Sequence, residues 1–223
     1  MKPAAIFRTL LFLSFLLLPI LASAHAGSMD LSGFSRTDVA LLYLKLGFEH
    51  ILPLGLDHIL FILCLCLLNP TLKPLLIQAT TFTVAHSITL GLAMYGFITP
   101  PSNIVEPIIA LSIMFVALEN IITDKLKTTR LLIVFAFGLI HGMGFASVLT
   151  ELGLPQEQFF NGLIAFNIGV ELGQIAVILS FWALIGVWFG KNIAYRKYIV
   201  IPASLVIAVV SLYWVIERTI IPS

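Results

Sequence analysis

The stretch GFEHILPLGLDHILFIL, residues 47–63, carries two of the chain's five histidines, His50 and His58, together with Asp57. These ionisable groups stand at the head of a strongly apolar run. An unpaired Asp, Lys or Arg at the centre of a bilayer costs about 2.5–3.5 kcal/mol on insertion scales. Groups placed there must therefore reach water, or face the interior of a helical bundle where they share partners.

The rest of the chain has the same character. It is 223 residues long, 60% hydrophobic and 10% charged, which is the composition of a polytopic membrane protein rather than a soluble domain. A formal net charge of +1 and the lack of a long basic run argue against a nucleic-acid partner, because phosphate neutralisation needs clustered Lys and Arg. Cys64 and Cys66 are the only cysteines, and their i,i+2 spacing places them on different faces of an apolar helix rather than in a disulfide framework.

The amino terminus reads as a targeting signal. Lys2 and Arg8 precede the apolar run LLFLSFLLLPIL (10–21), and Ala22-Ser23-Ala24 forms a small-x-small cleavage site. Cleavage after Ala24 leaves His25 as the first residue, where its ring and the free α-amino group are able to chelate Cu²⁺ or Ni²⁺ or the histidine is there by accident; an uncleaved first span is the alternative to cleavage. The predicted organisation is a signal peptide over 1–24 and a short extracytoplasmic segment with an interfacial helix over 25–48. An all-α bundle of six transmembrane helices over 49–216 and an extracytoplasmic tail over 217–223 complete it.

Spans are expected near 49–68, 73–95, 104–122, 130–149, 160–189 and 198–216, each long enough to cross about 30 Å of hydrocarbon. Pro53, between His50 and His58, predicts a kink near the start of the first of them or a change there from an interfacial to a spanning helix. With the mature amino terminus outside, Lys73, Lys125, Lys127, Arg130, Lys191, Arg196 and Lys197 all fall on cytoplasmic connections, and only Arg36, Lys45 and Arg218 fall outside. That asymmetry places both mature termini on the extracytoplasmic side of a bacterial-type inner membrane.

On this map Asp57, His58, His86, His141 and Glu171 lie at similar depths, roughly 12–17 Å from the outer boundary, on spans of alternating direction. Three imidazoles with one or two carboxylates suit a divalent metal such as Ni²⁺, Co²⁺ or Zn²⁺. Asp57 and His58 are adjacent and cannot both point at one centre from a straight helix, so one ligates while the other orients or gates. His50 and Glu106 stand nearer the outer surface as collecting groups. Asn167 and Gln174 flank Glu171 on its helix face and Ser87 adjoins His86, as orienting groups would. Glu119, near the inner end of the third span, is a candidate exit group. The same polar residues also suit a metal-free bundle in which the histidines hydrogen-bond across helices. Phe82-x-x-x-His86 and Phe137-x-x-x-His141 form a weak internal echo 55 residues apart.

The segments GLDHILFIL, FTVAHSITL, ALEN, FGLIHGMGFA and FNIGVELGQ together resemble the HupE/UreJ family of integral membrane proteins, in particular its second branch, over about residues 45–215. The resemblance implies a permease for nickel or cobalt associated with metallocentre assembly, with its metal-handling signature on His50, Asp57 and His58. The family signature resembles His-x5-Asp-His, whereas six residues separate His50 from Asp57 here. On one continuous helix the extra residue turns His50 by about 100°, leaving Asp57 and His58 as the firmer match.

Three functions compete at this level. Passage of a transition-metal ion through the bundle leads. A zinc-dependent intramembrane hydrolase is the second, supported by the outer position of the polar groups and weakened by the lack of an H-E-x-x-H pattern. The third is a metal-binding or assembly protein. Few polar groups occupy the inner half of the spans, which counts against passage, and no nucleotide-binding motif occurs, so ATP coupling requires a partner.

Overall fold

The computed structural model describes residues 31, 33–99, 101–151, 154, 156–190 and 192–220. The expected signal segment, its cleavage site and His25 lie outside the described residues. Those that are described form an all-α bundle: α1 (Arg36–Ile51), α2 (Leu56–Leu68), α3 (Leu72–Met94), α4 (Ser102–Ile122), α5 (Thr129–Gly144), the short α6 (Ala146–Glu151), α7 (Phe159–Phe189) and α8 (Arg196–Ile220). α7 and α8 each include a π-helical turn, over Trp182–Gly186 and Arg196–Val200 respectively.

α1 begins in a capping box. Asp38 donates its backbone N–H to the Ser35 hydroxyl oxygen, and the Asp38 carboxylate accepts from the Ser35 backbone. The segment with the Ser35 cap is helical through Ile51, longer than the interfacial helix expected there. The chain then breaks at 52–55, around Pro53, and α2 leaves at 65° to α1. The proline kink is thus a full break, and the span expected over 49–68 is divided between two helices.

Four helices, α3, α4, α7 and α8, are long and apolar enough to cross a membrane, and a fifth span results if α1 and α2 count as one bent unit. α5 is apolar but has 16 residues, because its helix stops at Gly144 instead of running on to 149. Along α4 the exposed residues Ile104, Ile108, Leu111, Phe115, Leu118 and Ile122 repeat every three or four positions, while Ser112 and Asn120 on the other face are buried. An apolar stripe outward with polar groups inward is the arrangement of a helix in lipid.

α2 occupies the centre, with every residue from His58 to Leu67 buried. Around it the helices associate chiefly as three pairs, α1 with α7, α3 with α5, and α4 with α8. Two of these pairs close on glycine. A Cβ at Gly47 of α1 would strike the Phe166 carbonyl of α7, and one at Gly169 would strike the Leu44 carbonyl in return. Gly142 of α5 meets the His86 carbonyl and the Thr89 hydroxyl of α3 in the same way. Such backbone approach substitutes for the hydrophobic driving force that lipid does not provide. The Gly47→Ala variant is expected to lose about 1–3 kcal/mol by overpacking, read as a lower unfolding midpoint in detergent.

The ends of the helices sort into two layers. At one end Arg218 of α8 donates to the Asp57 carboxylate of α2 and to the Glu106 carbonyl of α4. At the opposite end Arg130 of α5 meets Glu119 and Asn120 of α4, Gln78 of α3 and the Cys64 carbonyl of α2. α4 therefore runs antiparallel to both α5 and α8.

Candidate metal centre

The break at 52–55 makes the centre. Because the chain turns there instead of continuing as a helix, His50 at the end of α1 folds back beside His58 in the first turn of α2, their ring centroids 4.6 Å apart. The 100° phase expected between them applies only to one continuous helix. α3 brings His86 to 5.8 Å from His58 and 6.0 Å from His50, ring to ring, and α5 brings His141 to 5.0 Å from His58. One ligand atom from each of His50, His58 and His86 lies within 4.8 Å of the others, an arrangement able to hold a metal ion.

Unpartnered ring nitrogens are what this chamber offers. His50 Nε2, His58 Nε2, His86 Nε2 and His141 Nδ1 are buried with no hydrogen-bond partner among the described residues. For two of the rings the neighbours fix which nitrogen is free. Asn167 donates its amide to the Leu163 carbonyl at 2.8 Å, which turns its oxygen to His86 Nδ1 at 3.4 Å. His86 therefore carries its proton on Nδ1 and keeps the Nε2 lone pair. Ser112 donates its hydroxyl proton to the Ile109 carbonyl at 2.7 Å, so at 3.0 Å it accepts from His141 Nε2–H, which leaves Nδ1 free. Partners of this kind set ligand orientation and tautomer, and their loss typically costs about 10–100-fold in metal affinity. Asn167→Leu is accordingly expected to weaken Ni²⁺ or Zn²⁺ binding by about that factor, checked by competition titration against a chromogenic chelator.

The donor set fits a borderline transition metal. Neutral imidazoles suit Zn²⁺, Ni²⁺ and Co²⁺ alike, and the four carry no charge to oppose a dication. A tetrahedral site with bonds of about 2.1 Å has donors about 3.4 Å apart. The three nitrogens, spread over as much as 4.8 Å, must draw together to hold a bare ion.

An open cavity of about 620 Å³ leads to the histidines from one end of the bundle, lined by Glu49, Asp57, Glu106, Trp214 and Arg218 at its mouth and by His50, His58 and His141 at its base. Asp57 accepts two hydrogen bonds from Arg218, at 3.0 and 3.1 Å. On the far side the chamber has a floor. Phe61 and Phe82, each 1% exposed, lie 5.1 Å apart, and both sit within 5.4 Å of the His141 ring. Below them is Arg130, 1% exposed, whose guanidinium donates to Glu119 at 2.7 Å, Gln78 at 3.1 Å, and Asn120 and the Cys64 carbonyl at 3.3 Å. Three helices repeat one order from the cavity inward: His58, Phe61, Cys64 on α2; His86, Phe82, Gln78 on α3; His141, Phe137, Arg130 on α5.

The structure distributes the residues expected at the site as follows. His58 and His86 are joined by His50, with His141 alongside. Asp57 and Glu106 line the mouth. Glu171 lies apart, between α3 and α7, where its carboxylate accepts from the Thr80 and Thr83 hydroxyls; Gln174 donates to Thr83 at 2.6 Å, and Ser87 donates to the Thr83 carbonyl at 2.6 Å. Glu119 is the ion-pair partner of Arg130. Ser112, Arg218, Phe61 and the buried position of Arg130 were not legible as parts of the site. Both arginines lie near helix ends, where a sequence offers them as loop charges.

The family described as HupE / UreJ protein matches residues 27–218. Neither the curated proteins nor the solved structures compared with the chain give a match. With nearly the whole bundle covered by that one family, including every helix that lines the histidine chamber, the chain belongs to the HupE/UreJ family.

Proposed function

We propose that the chain is a permease for a divalent transition-metal ion of the nickel or cobalt type, acting in a bacterial inner membrane. The observation that carries this reading is the group of imidazoles with buried, unpartnered ring nitrogens at and just behind the base of an open cavity. In it α1 and α2 form one span, and α3, α4, α5, α7 and α8 the other five, after removal of the signal segment. Both mature termini are then outside. The meeting of the α4 start with the α8 end is what alternating spans require. Lys125 and Lys127, between α4 and α5, then fall on the cytoplasmic side.

In this reading the ion passes the carboxylates of the mouth, exchanges water for imidazole nitrogen at His50, His58, His86 and His141, and leaves once the Phe61–Phe82 floor parts and Glu119 is released from Arg130. Binding by neutral, widely set ligands is weak enough to permit that departure. Glu171, with Asn167, Gln174 and Ser87, forms a polar support on the α3–α7 side. A metallocentre-assembly protein on the cytoplasmic side is a fitting recipient for the ion.

One observation favours a second reading, an intramembrane zinc-dependent hydrolase. The chamber is reached from one end and closed at the other by the aromatic floor and the buried Arg130. The histidines would hold the zinc, which when bound would activate water, and Asp57 beside His58 would be the nearest carboxylate in sequence.

The deciding experiment loads the purified full chain with Ni²⁺, Co²⁺ or Zn²⁺, measures stoichiometry, and follows flux into proteoliposomes. One bound ion with saturable flux is the expected result. An occupied site without flux transfers the case to the hydrolase, and failure to bind any of the three ions leaves a hydrogen-bonding or assembly bundle.

A further inference from the structure

Among the described residues Arg218 is the one Lys or Arg lining the cavity, and it is placed against the carboxylate that precedes His58. One of its terminal nitrogens bridges both oxygens of Asp57, at 3.0 and 3.1 Å, and the other donates to the Glu106 carbonyl at 3.3 Å. The guanidinium also packs 5.1 Å from the Trp214 ring, one helical turn back on α8. The pair is incompletely covered, with Arg218 19% and Asp57 26% exposed at the side chain, so it stands where an arriving ion meets it. Of the other two carboxylates at the mouth, Glu49 is paired with Lys45 at 3.7 Å, and Glu106 makes no ion pair among the described residues.

Without Arg218 the mouth would present the carboxylates of Asp57 and Glu106 to an arriving ion. Such a pair attracts any hard dication, and Ca²⁺ and Mg²⁺ bind through carboxylates and water. The imidazoles beneath are poor ligands for those ions and good ones for nickel, cobalt or zinc. Discrimination at the mouth therefore needs something that penalises an ion unable to proceed to nitrogen.

We propose that Arg218 is a selectivity latch: a tethered cation that occupies Asp57 and yields only to an ion that gains imidazole nitrogens once inside. Displacing a charge-assisted, two-oxygen contact costs every incoming dication the same. A transition-metal ion recovers that cost at His58 and its neighbours, and a hard ion does not. Specificity here comes from a repulsive element added to the attractive one. The inference rests on the metal-permease reading for its purpose, though not for its test.

The test uses the full chain in lipid nanodiscs with Ca²⁺ itself as the probe. The wild type is expected to show no Ca²⁺ binding at millimolar concentration, and Ni²⁺ capture that Ca²⁺ leaves unchanged. Arg218→Gln should bind Ca²⁺, and its Ni²⁺ capture should become at least about tenfold more sensitive to Ca²⁺ competition. Arg218→Lys should restore much of the exclusion, and the Arg218→Gln/Asp57→Asn pair should abolish the new Ca²⁺ binding. Unchanged Ca²⁺ behaviour in Arg218→Gln, or Ca²⁺ binding that survives loss of Asp57, overturns the latch. Should Arg218→Gln fail to fold, Asp57→Asn alone decides: it frees Arg218 from its carboxylate, and Ni²⁺ capture by it that becomes Ca²⁺-sensitive overturns the proposal. A wild type that captures no transition metal defeats the permease reading instead, and Ca²⁺ binding by Arg218→Gln but not by the wild type still upholds the latch.

Discussion

Replacing Arg130 by alanine is expected to destabilise the bundle by about 3–5 kcal/mol, read as a lower midpoint of unfolding in mixed micelles. The guanidinium is 2% exposed at the side chain and joins α5 to α2, α3 and α4 through four different acceptor groups. Its removal leaves the Glu119 carboxylate without its cation, and the Gln78 and Asn120 oxygens without their donors. A partly buried carboxylate left without its cation, beside two buried amide oxygens left without donors, is costly because little water can replace what is lost. The paired replacement Arg130→Met/Glu119→Leu removes both charges and should cost much less, since a buried ion pair exchanged for apolar groups is often close to neutral. A loss below about 1 kcal/mol for Arg130→Ala, the range of exposed pairs, would mean that this network contributes little to holding the far end together.

His58→Ala carries the second large effect, on affinity. His58 is the histidine whose ring lies within 6 Å of all three others, by centroid distances of 4.6, 5.8 and 5.0 Å. Loss of an outer orienting partner already costs about 10–100-fold in metal affinity, and loss of the central ligand should exceed about 100-fold. Asp57→Asn should change affinity far less, because that carboxylate is engaged by Arg218 and not grouped with the rings. Competition titration of the variants with Ni²⁺ and Zn²⁺ distinguishes the cases. Equal losses for His58→Ala and Asp57→Asn would place the ion at the mouth rather than in the chamber.

The class of the fold was legible because lipid demands a simple pattern: long apolar segments, basic residues on alternate connections, and ionisable groups at matched depth. His58, His86 and His141 could be gathered from three separate segments on depth alone. His50 resisted that reasoning, since helical phase relates two residues only while the helix continues, and Pro53 marked a kink without giving its direction. The echo of Phe82 before His86 and Phe137 before His141 had a meaning the letters did not supply. Each phenylalanine lies one turn deeper than its histidine, Phe82 within the chamber floor and Phe137 beside Phe61. Glu171 was expected beside the histidines, whereas its carboxylate meets Thr80 and Thr83 of α3; expected depth carries no information about rotation. Arg130 and Arg218 were counted as topological charges because both lie near helix ends. Long side chains there can turn inward as readily as outward, and only the carboxylates waiting on other helices decide which.

The glycine contacts described above have a mechanical consequence. Gly47 and Gly169 fasten α1 to α7, and Gly142 fastens α5 to α3, backbone against backbone. Backbone contact that close resists sliding within each pair, as between boards glued face to face. His50 rides on the first plank, His86 and His141 on the second, and His58 on the central α2 between them. An ion gripped by all three would act as a rivet through a joint, and sliding one plank by a few ångströms would pull the ligands apart without unfolding any helix. In the permease reading, capture and surrender of the ion would be two positions of the same carpentry, with the break at 52–55 as the hinge pin.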